Sequence, residues 1–320
     1  MERVSGRKIF ITGGAGFIGG WACKHLLANN KIIVYDNVRH RNTLDDWGLS
    51  GNKNLKFING DILDAKKLKN SIGDCDSVIH MAAIAGVNSY YRMPRKTMEV
   101  NMIGTYTVLE SVKENKRIKT FIDFSTSEIY GGHIFRARED GESMQGDIKD
   151  RRWTYAISKL AAEKFSHCYY WEYGLPVCSV RPFNIYGPNQ PGEGAIQVLL
   201  SKVLSNKPAP ITGDGNQIRA WCYVEDFVDG LLKCFNKKEA AGNAFNIGNP
   251  NCTITILGLV QKMIELTGSK SKIFYDKHIG VDVDLRVPDI SKARQMLGYS
   301  PKIGLNEGLL RTIKWYKEHR

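Results

Sequence analysis

Short continuous apolar runs alternate with longer amphipathic stretches along the first half of the chain. The runs lack the polar alternation of a half-exposed strand, which is typical of strands that are buried on both faces. Strands separated by stretches of helical length indicate parallel βαβ units, so we predict an α/β fold with a doubly wound, Rossmann-type parallel sheet. The runs are RKIFITG, KIIVYDN, LKFINGD, SVIHMAA, TFIDFST and PVCSVRP.

The pattern changes after about Phe183. Clusters of Gly, Pro and Asn such as NIYGPNQPGEG and ITGDGNQ interrupt shorter helical stretches, and strands and helices no longer alternate regularly. We therefore expect two tightly packed parts. The first is a Rossmann domain over residues 1–182, which residues 221–249 rejoin. The second is a smaller α/β domain over residues 183–320, placed at the carboxyl edge of the sheet.

Composition narrows the class of protein. The chain has 320 residues, of which 42% are hydrophobic, as is ordinary for a globular protein. No apolar run approaches the roughly 18 residues of a membrane-spanning helix, so we expect a cytoplasmic protein without a membrane segment. The seven cysteines form no CxxC pattern and the histidines no ligand spacing, so we expect neither disulfides nor a metal site.

The formal net charge of +12 raises the question of a nucleic-acid partner. The basic residues are dispersed along the chain and form only short clusters, so we expect no nucleic acid to bind. The same excess of positive charge would attract a small anionic ligand.

The segment TGGAGFIGG follows the first predicted strand and opens the first predicted helix. Gly13, Gly16 and Gly19 have the spacing of a dinucleotide fingerprint, in which glycines let a pyrophosphate approach the helix N-terminus closely. We assign this segment, with Phe17 and Ile18, to a cofactor site.

Asp36 ends the second predicted strand, at the position where a carboxylate binds the hydroxyls of the adenosine ribose. This position favours NAD over NADP, and we include the adjacent Asn37 in the same site. Arg39 and Arg41 follow closely and would instead suit the 2′-phosphate of NADP.

The segment TYAISK places Tyr155 and Lys159 four residues apart on one face of a predicted helix. A free phenol is a poor base at neutral pH, but a nearby ammonium and a nicotinamide cation both favour the phenolate. Tyr155 would then remove a hydroxyl proton as hydride leaves the same carbon. Thr126, at a predicted strand end, would hydrogen-bond that hydroxyl, although the strand end could also use it simply as a cap.

A series of motifs extends these assignments: TGGAGFIGG, GDIL, HMAA, VNMIGT, STSEIYG, YAISK, RPFNIYGP, GDGNQIRAWCYVED and NIGNP. Their order resembles that of the extended short-chain dehydrogenases that modify nucleotide-diphosphate sugars, and the resemblance spans nearly the whole chain. It implies a tightly held NAD that oxidises C4 of the sugar. It also implies a homodimer in which helices near residues 97–115 and 153–173 form a four-helix bundle.

The resemblance further implies roles for individual residues. Asp61 and Ile62 would flank the adenine, and the cofactor channel would be lined by Met81, Ala82, Ala83 and Asn101. The phosphates and nucleoside of the sugar substrate would meet Asn184, Arg219, Arg286 and Asp289.

Ser127 and Glu128, which follow Thr126, bear on the choice of reaction. The 4,6-dehydratases carry a motif similar to STDEVYG at this place. Ser127 here replaces the Asp of that motif, which helps to expel the C6 hydroxyl. Decarboxylases that act on UDP-glucuronic acid resemble STSEVYG, and they carry R-K-P-D-I where this chain has Arg286 in LRVPDI. The segment RRWTYAISK is also closest to a decarboxylating group.

We therefore predict decarboxylation of a UDP-linked uronic acid, with Thr126, Ser127, Glu128, Tyr155, Lys159 and Arg286 as the catalytic set. The alternatives are 4-epimerisation and then 4,6-dehydration, with Glu128 acting only as a buried partner of Arg286 or of a helix-end amide. A non-catalytic, NAD-sensing scaffold protein is a further alternative, but such a protein would be expected to lose Tyr155 or Lys159.

Overall fold

The first half of the chain alternates strands and helices, as its apolar pattern predicts. The structure, a computed structural model, describes residues 3–192, 194–276 and 283–319. The elements up to residue 182 are β1 (Lys8–Thr12), α1 (Phe17–Leu26), β2 (Lys31–Asp36), α2 (Thr43–Asp46), β3 (Leu55–Asn59), α3 (Ala65–Ile72), β4 (Ser77–His80), α4 (Val87–Arg92), α5 (Pro94–Met98), a π-helical turn (Glu99–Ile103), α6 (Gly104–Val112), β5 (Thr120–Phe124), a 3-10 turn (Ser127–Tyr130), β6 (His133–Ala137), a 3-10 turn (Arg151–Trp153), α7 (Thr154–Tyr173) and β7 (Val177–Pro182).

The second half has shorter elements. They are β8 (Ile185–Tyr186), α8 (Ala195–Leu204), β9 (Ala209–Thr212), β10 (Ile218–Ala220), β11 (Cys222–Tyr223), α9 (Val224–Asn236), a 3-10 turn (Lys238–Ala240), β12 (Asn243–Ile247), a 3-10 turn (Pro250–Cys252), β13 (Thr253–Thr255), α10 (Ile256–Thr267), β14 (Ile273–Asp276), β15 (Leu285–Pro288), α11 (Ser291–Leu297) and α12 (Leu305–Glu318).

The main sheet is parallel and has the order β12-β7-β5-β4-β1-β2-β3. Its two faces carry different apolar clusters, because alternate residues of one strand point to opposite faces. Ile9 and Ile11 of β1 belong to one cluster, whereas Phe10 between them belongs to the other. The doubly wound Rossmann-type sheet predicted from the sequence is therefore confirmed. Strand β12, late in the chain, lies beside β7 in this sheet.

A smaller sheet has the order β13-β10-β15-β6. Strand β6 lies within the first 182 residues, yet it pairs with β15 of the second half, so the two halves of the chain share this sheet. The pairing of β10 with β15 puts Arg219 directly beside Arg286.

The helical region near residues 97–115 is not one regular α-helix. It consists of α5, the π-helical turn and α6 in succession. Such π-helical turns inside α-helices are frequent at functional sites. Here the turn contains Asn101, one of the residues predicted to line the cofactor channel. Within the described residues, no helix combines the length and apolar character that a membrane crossing requires.

Candidate active site

The turn between β1 and α1 is built on Gly13. Its φ is +72°, and a Cβ at this position would lie only 2.7 Å from the backbone nitrogen of Ala82, so a larger residue does not fit. The turn delivers the chain to the N-terminus of α1, where no side chain of the described residues caps the helix. Its free N–H groups and the helix dipole suit a pyrophosphate, and the residues present therefore fit a dinucleotide.

Asp36 lies at the carboxyl end of β2, beside this turn. Its carboxylate oxygens accept hydrogen bonds from the backbone N–H groups of Ala15 (3.0 Å) and Val38 (2.8 Å). Burial raises the pKa of Asp36, and these two N–H groups oppose the rise. The carboxylate is thus fixed in one orientation at the edge of the groove.

Arg39 and Arg41, the two arginines considered for NADP, lie at the wall of the first cavity, where other side chains engage them. Arg39 donates a hydrogen bond to the hydroxyl of Ser89 (3.0 Å), and Arg41 forms an ion pair with Asp46 (3.2 Å). Arg41 also donates to the side-chain oxygen of Asn189. These contacts hold the loop after β2 against neighbouring segments.

Two adjoining cavities of about 370 and 440 Å³ run along the carboxyl edge of the main sheet. Both cavities are lined by Gly13 and Gly16 of the glycine turn and by Met81 and Ala83 directly after β4. We call the two adjoining cavities together the groove. The predicted cofactor residues that line the first cavity are Gly13, Gly16, Asp36, Asn37, Asp61, Ile62, Met81, Ala82 and Ala83. Those that line the second include Phe17, Ile18, Gly19, Tyr155 and Lys159, together with Thr126.

Asn101 supports the groove from behind. Its side-chain oxygen accepts from the N–H of Ile84 (2.7 Å), and its amide nitrogen donates to the carbonyl of Ile84 and to the hydroxyl of Ser158 (3.0 Å). Asn101 thereby ties the segment after β4 to α7, although it does not line either cavity itself.

Tyr155 and Lys159 lie together in the second cavity, as their spacing on a helix predicts. Burial and the negative charge of Glu128 raise the pKa of Tyr155 to about 12, and a hydrogen bond with Thr126 opposes this rise. Thr126 also accepts from the backbone N–H of Glu128 (3.2 Å), so it links the strand end to the following turn. Ser127 is buried in the same turn.

Glu128 lies between two arginines. One carboxylate oxygen is 2.5 Å from Nη1 of Arg286, and the other is 2.6 Å from Nη1 of Arg152. Burial by itself would raise the pKa of Glu128, but the two guanidinium groups outweigh it and lower the pKa to about 2. Arg286 also donates to the carbonyl of Gly131 (2.8 Å). We name Arg152, Glu128 and Arg286 the charge cluster. None of the three lines either cavity, and the charge of Glu128 acts on Tyr155, which lines the second cavity.

Arg152 is the member of the charge cluster that the sequence analysis does not assign to the site. The sequence did contain a signal, because Arg152 belongs to the RRW segment directly before Tyr155. Its side chain is buried, with the guanidinium group 5.7 Å from the centre of the Tyr90 ring and 5.6 Å from that of Trp153. The ring of Tyr90 in turn stacks on Tyr155 at 6.0 Å, so Arg152 packs one residue away from the phenol.

None of the four residues predicted to hold the nucleotide part of the substrate, Asn184, Arg219, Arg286 and Asp289, lines either cavity. Asn184 donates from its side chain to the carbonyl of Ala220 (2.9 Å), which binds β8 to the small sheet, and Arg219 lies beside Arg286 on the neighbouring strand. The carboxylate of Asp289 accepts from the N–H of Ser291 (2.7 Å), in a local turn that leads into α11. Its role in substrate binding stays a prediction.

The fold and the groove define a class of protein: Rossmann-type, dinucleotide-dependent enzymes with a Tyr-Lys pair at the carboxyl edge of the sheet. The model of the NAD dependent epimerase/dehydratase family matches residues 9–248. The chain belongs to this family, and its cofactor is NAD.

Similar proteins cover nearly the whole chain. A UDP-N-acetyl-alpha-D-glucosaminuronate decarboxylase of Bacillus cytotoxicus is 32% identical, over 98% of each chain. A dTDP-D-glucose 4,6-dehydratase of Bos taurus is 34% identical, over 98% of this chain and 89% of its own. The structure of a UDP-glucuronic acid 4-epimerase from Bacillus cereus, in complex with UDP-glucuronic acid and NAD, has a TM-score of 0.90 at 30% identity, over 98% of this chain and 100% of that one. Decarboxylase, dehydratase and epimerase are thus all represented.

Proposed function

We propose that the protein decarboxylates a nucleotide-diphosphate uronic acid, most favourably a UDP-linked one, after oxidation of the sugar at C4. The charge cluster carries the proposal, because two guanidinium groups and one carboxylate leave a net positive charge close to Tyr155. A carboxylate at C6 of the sugar would supply the missing negative charge, and arginine binds carboxylates in a well-defined fork geometry.

The chemistry requires little from the protein once C4 is oxidised. The C6 carboxylate is then that of a β-keto acid, so the C5–C6 bond can break with loss of CO₂. The electrons of that bond move to the C4 oxygen as an enolate, which takes a proton at C5. Arg286 and Arg152 would stabilise the developing negative charge, because fixed cations in a water-poor site act strongly on it.

The remaining site residues hold the reactants and move one proton. When bound, NAD supplies the reversible oxidation of the sugar carbon. We propose that the glycine turn and the N-terminus of α1 hold its pyrophosphate and that Asp36 binds its adenosine ribose. Tyr155 takes the proton of the C4 hydroxyl, Thr126 orients that hydroxyl, and the ammonium of Lys159 favours the phenolate form of Tyr155.

Dehydration is less well supported by the same contacts. A 4,6-dehydratase needs a base for the C5 proton and an acid for the departing hydroxyl. A carboxylate with its pKa lowered to about 2, as in Glu128, is a weak base, and Ser127 replaces the acid.

The second candidate is 4-epimerisation of a nucleotide-linked uronic acid. The similarity to the Bacillus cereus UDP-glucuronic acid 4-epimerase favours it, and the charge cluster would bind the same C6 carboxylate. In that reaction the carboxylate stays on the sugar, and the oxidised sugar must turn over before it is reduced again.

Product analysis tests the proposal. The protein would be incubated with NAD and, separately, with UDP-glucuronic acid, UDP-N-acetylglucosaminuronic acid, UDP-glucose and dTDP-glucose, and the products would be analysed by mass spectrometry. We expect at least one uronic acid to lose CO₂ and both neutral sugars to remain unreacted. Loss of water from a neutral sugar, or a uronic acid of unchanged mass and altered stereochemistry, would contradict decarboxylation.

We also propose that two copies of the chain pair through α6 and α7. These helices expose a cluster of apolar and aromatic side chains, including Tyr106 on α6 and Trp171 on α7, the latter 62% exposed. Tyr106 packs on Phe165 of α7 at 5.7 Å, so the two helices present one continuous surface. Monomers rarely leave such a surface in contact with water.

Light scattering at micromolar concentration checks this pairing. We expect a dimer for the unchanged chain and a monomer for Trp171→Glu, because a charge in the paired surface would lack a partner. The matched control is Phe135→Glu, which places the same charge on β6, at a side chain that is 65% exposed outside α6 and α7. A monomeric unchanged chain, or a Trp171→Glu variant that still forms dimers, would refute the pairing.

A further inference from the structure

A second group of buried charges lies behind Lys159, on the side away from the groove. Lys159 is itself buried, and burial lowers its pKa, while two acids, Asp123 and Glu163, raise it. A buried ammonium stays charged only when a negative charge compensates for its lost hydration. The question is which of the two acids compensates Lys159.

Glu163 is already paired with another cation. Arg181 of β7 holds it with Nε at 3.1 Å from both carboxylate oxygens and with Nη2 at 2.6 Å from one of them. This is a forked, charge-assisted contact of the strongest kind that side chains form. Arg181 also donates to the hydroxyl of Tyr130 (2.5 Å), so it is fixed in place from a second side. Glu163 and Arg181 therefore balance each other.

Asp123 has no such partner. It lies on β5, three residues before Thr126, and is fully buried. Within the part of the chain that the structure describes, neither of its carboxylate oxygens makes a hydrogen bond of normal geometry, and its nearest polar contact is the buried hydroxyl of Ser166, which opposes the rise of its pKa. Lys159 is the cation that acts on it. A buried, unpaired carboxylate costs several kcal/mol if nothing offsets it, so its presence in an otherwise apolar strand calls for an explanation.

We propose that Asp123 is a positioning residue that keeps Lys159 protonated, and that it thereby sustains the proton transfer at Tyr155. The inference rests on the proposed function of Tyr155 and Lys159 and adds a residue that acts through Lys159. Asp123 does not reach the groove, and it does not line either cavity.

The side chains next to Asp123 on the adjacent strands are uncharged, so we take Lys159 as its counter-ion. Its neighbours on the adjacent strands are His80 of β4 and Ser179 of β7. Burial lowers the pKa of His80 to about 3, so this ring stays neutral, and its two nitrogens are hydrogen-bonded to Thr12 and Thr105. The other titratable or charged groups that face Asp123 or its partners are Cys178, Lys159, Glu163, His167 and Arg181.

The sign of the pH dependence follows. Burial raises the pKa of Asp123 to about 6, so its negative charge is present above that pH and disappears below it. While charged, it raises the pKa of Lys159. Without that charge, Lys159 loses its proton at lower pH, and the alkaline limit of activity moves toward neutrality.

Two uncharged variants of different size, Asp123→Asn and Asp123→Ser, test the proposal, with Ser179→Ala as the matched control on the neighbouring strand. We expect the kcat of both Asp123 variants to fall on the order of tenfold on the alkaline side of its pH profile, with KM little changed. Ser179→Ala should keep the profile of the unchanged chain. Thermal unfolding of every variant checks that it folds.

A readout without substrate separates this inference from the proposed function. Lys159 lines the groove, so its reaction with a small amine-acylating reagent, followed by peptide mass spectrometry, reports its unprotonated fraction at each pH. We expect acylation of Lys159 to begin at lower pH in both Asp123 variants than in the unchanged chain. Identical acylation and kcat profiles would overturn the inference. The acylation of Lys159 could shift with pH as expected although the protein turns over no nucleotide sugar. That result would refute the proposed function but would still support the pairing of Asp123 with Lys159.

Discussion

Tyr155→Phe is expected to reduce turnover of the nucleotide sugar by at least roughly 10²-fold, the usual scale for a positioned acid–base group. The phenol lines the second cavity beside Lys159, and burial together with Glu128 raises its pKa to about 12. The phenolate therefore forms only when positive charge is placed beside it. Phe keeps the ring and its stacking but has no group that can take the proton.

Tyr90→Phe is the matched control for this variant, because it removes a phenol hydroxyl from the ring stacked on Tyr155. We expect its turnover to stay close to that of the unchanged chain. Calorimetry should show that both variants bind NAD and nucleotide sugar normally. If Tyr155→Phe turned over at a near-normal rate, Tyr155 could not be the proton acceptor.

The part of the site that is predicted to bind the cofactor can be recognised from the sequence, because its residues lie close together along the chain. The turn at Gly13, the N-terminus of α1 and the strand end at Asp36 lie within one βαβ unit, where spacing along the chain fixes position in space. The parallel sheet then brings the ends of β4 and β5 to the same edge. Residues such as Met81 and Thr126 reach the groove for that reason.

The charge cluster is formed by residues that are far apart along the chain, so no short sequence pattern predicts it. Glu128 and Arg286 are 158 residues apart, and only the pairing of β15 with β6 brings them together. The resemblance supplied this pair, and the alternative that Glu128 is a buried partner of Arg286 correctly describes the contact. Sequence alone does not assign Arg152 to the site, because an arginine beside a helix start is usually exposed, whereas here aromatic rings cover it.

For two aspartates, the surroundings in the structure add information that the sequence motifs do not contain. Asp289 matches a substrate-binding motif, and its carboxylate also accepts from the N–H of Ser291 in a local turn that leads into α11. In the sequence, Asp123 stands inside the apolar run TFIDFST. A carboxylate inside a strand that is buried on both faces is itself a signal, since burial without a partner is unfavourable.

Glu128→Gln is expected to slow CO₂ release from UDP-glucuronic acid by roughly 10²-fold while NAD binding changes little. In the proposed reaction, Glu128 would compete with the C6 carboxylate for Arg152 and Arg286, with which it forms ion pairs. This competition would keep the bound substrate from being held too tightly before its charge is lost as CO₂. Gln is nearly isosteric but neutral, so both arginines would turn fully toward the substrate carboxylate. KM should therefore fall together with kcat, a pattern that the loss of a merely structural contact would not produce.

Glu128→Asp is the control, because it keeps the charge and shortens the side chain. We expect it to retain more of the CO₂ release than Glu128→Gln, whereas a purely steric role would reverse that order. Removing one partner of a buried ion pair typically costs about 3–5 kcal/mol, so thermal unfolding must show that both variants are folded at the assay temperature. If UDP-glucuronic acid or UDP-glucose were converted only to its C4 epimer, with no CO₂ and a fully active Glu128→Gln, the carboxylate would be structural. The charge cluster would then bind the uronic acid of an epimerase or have no substrate role.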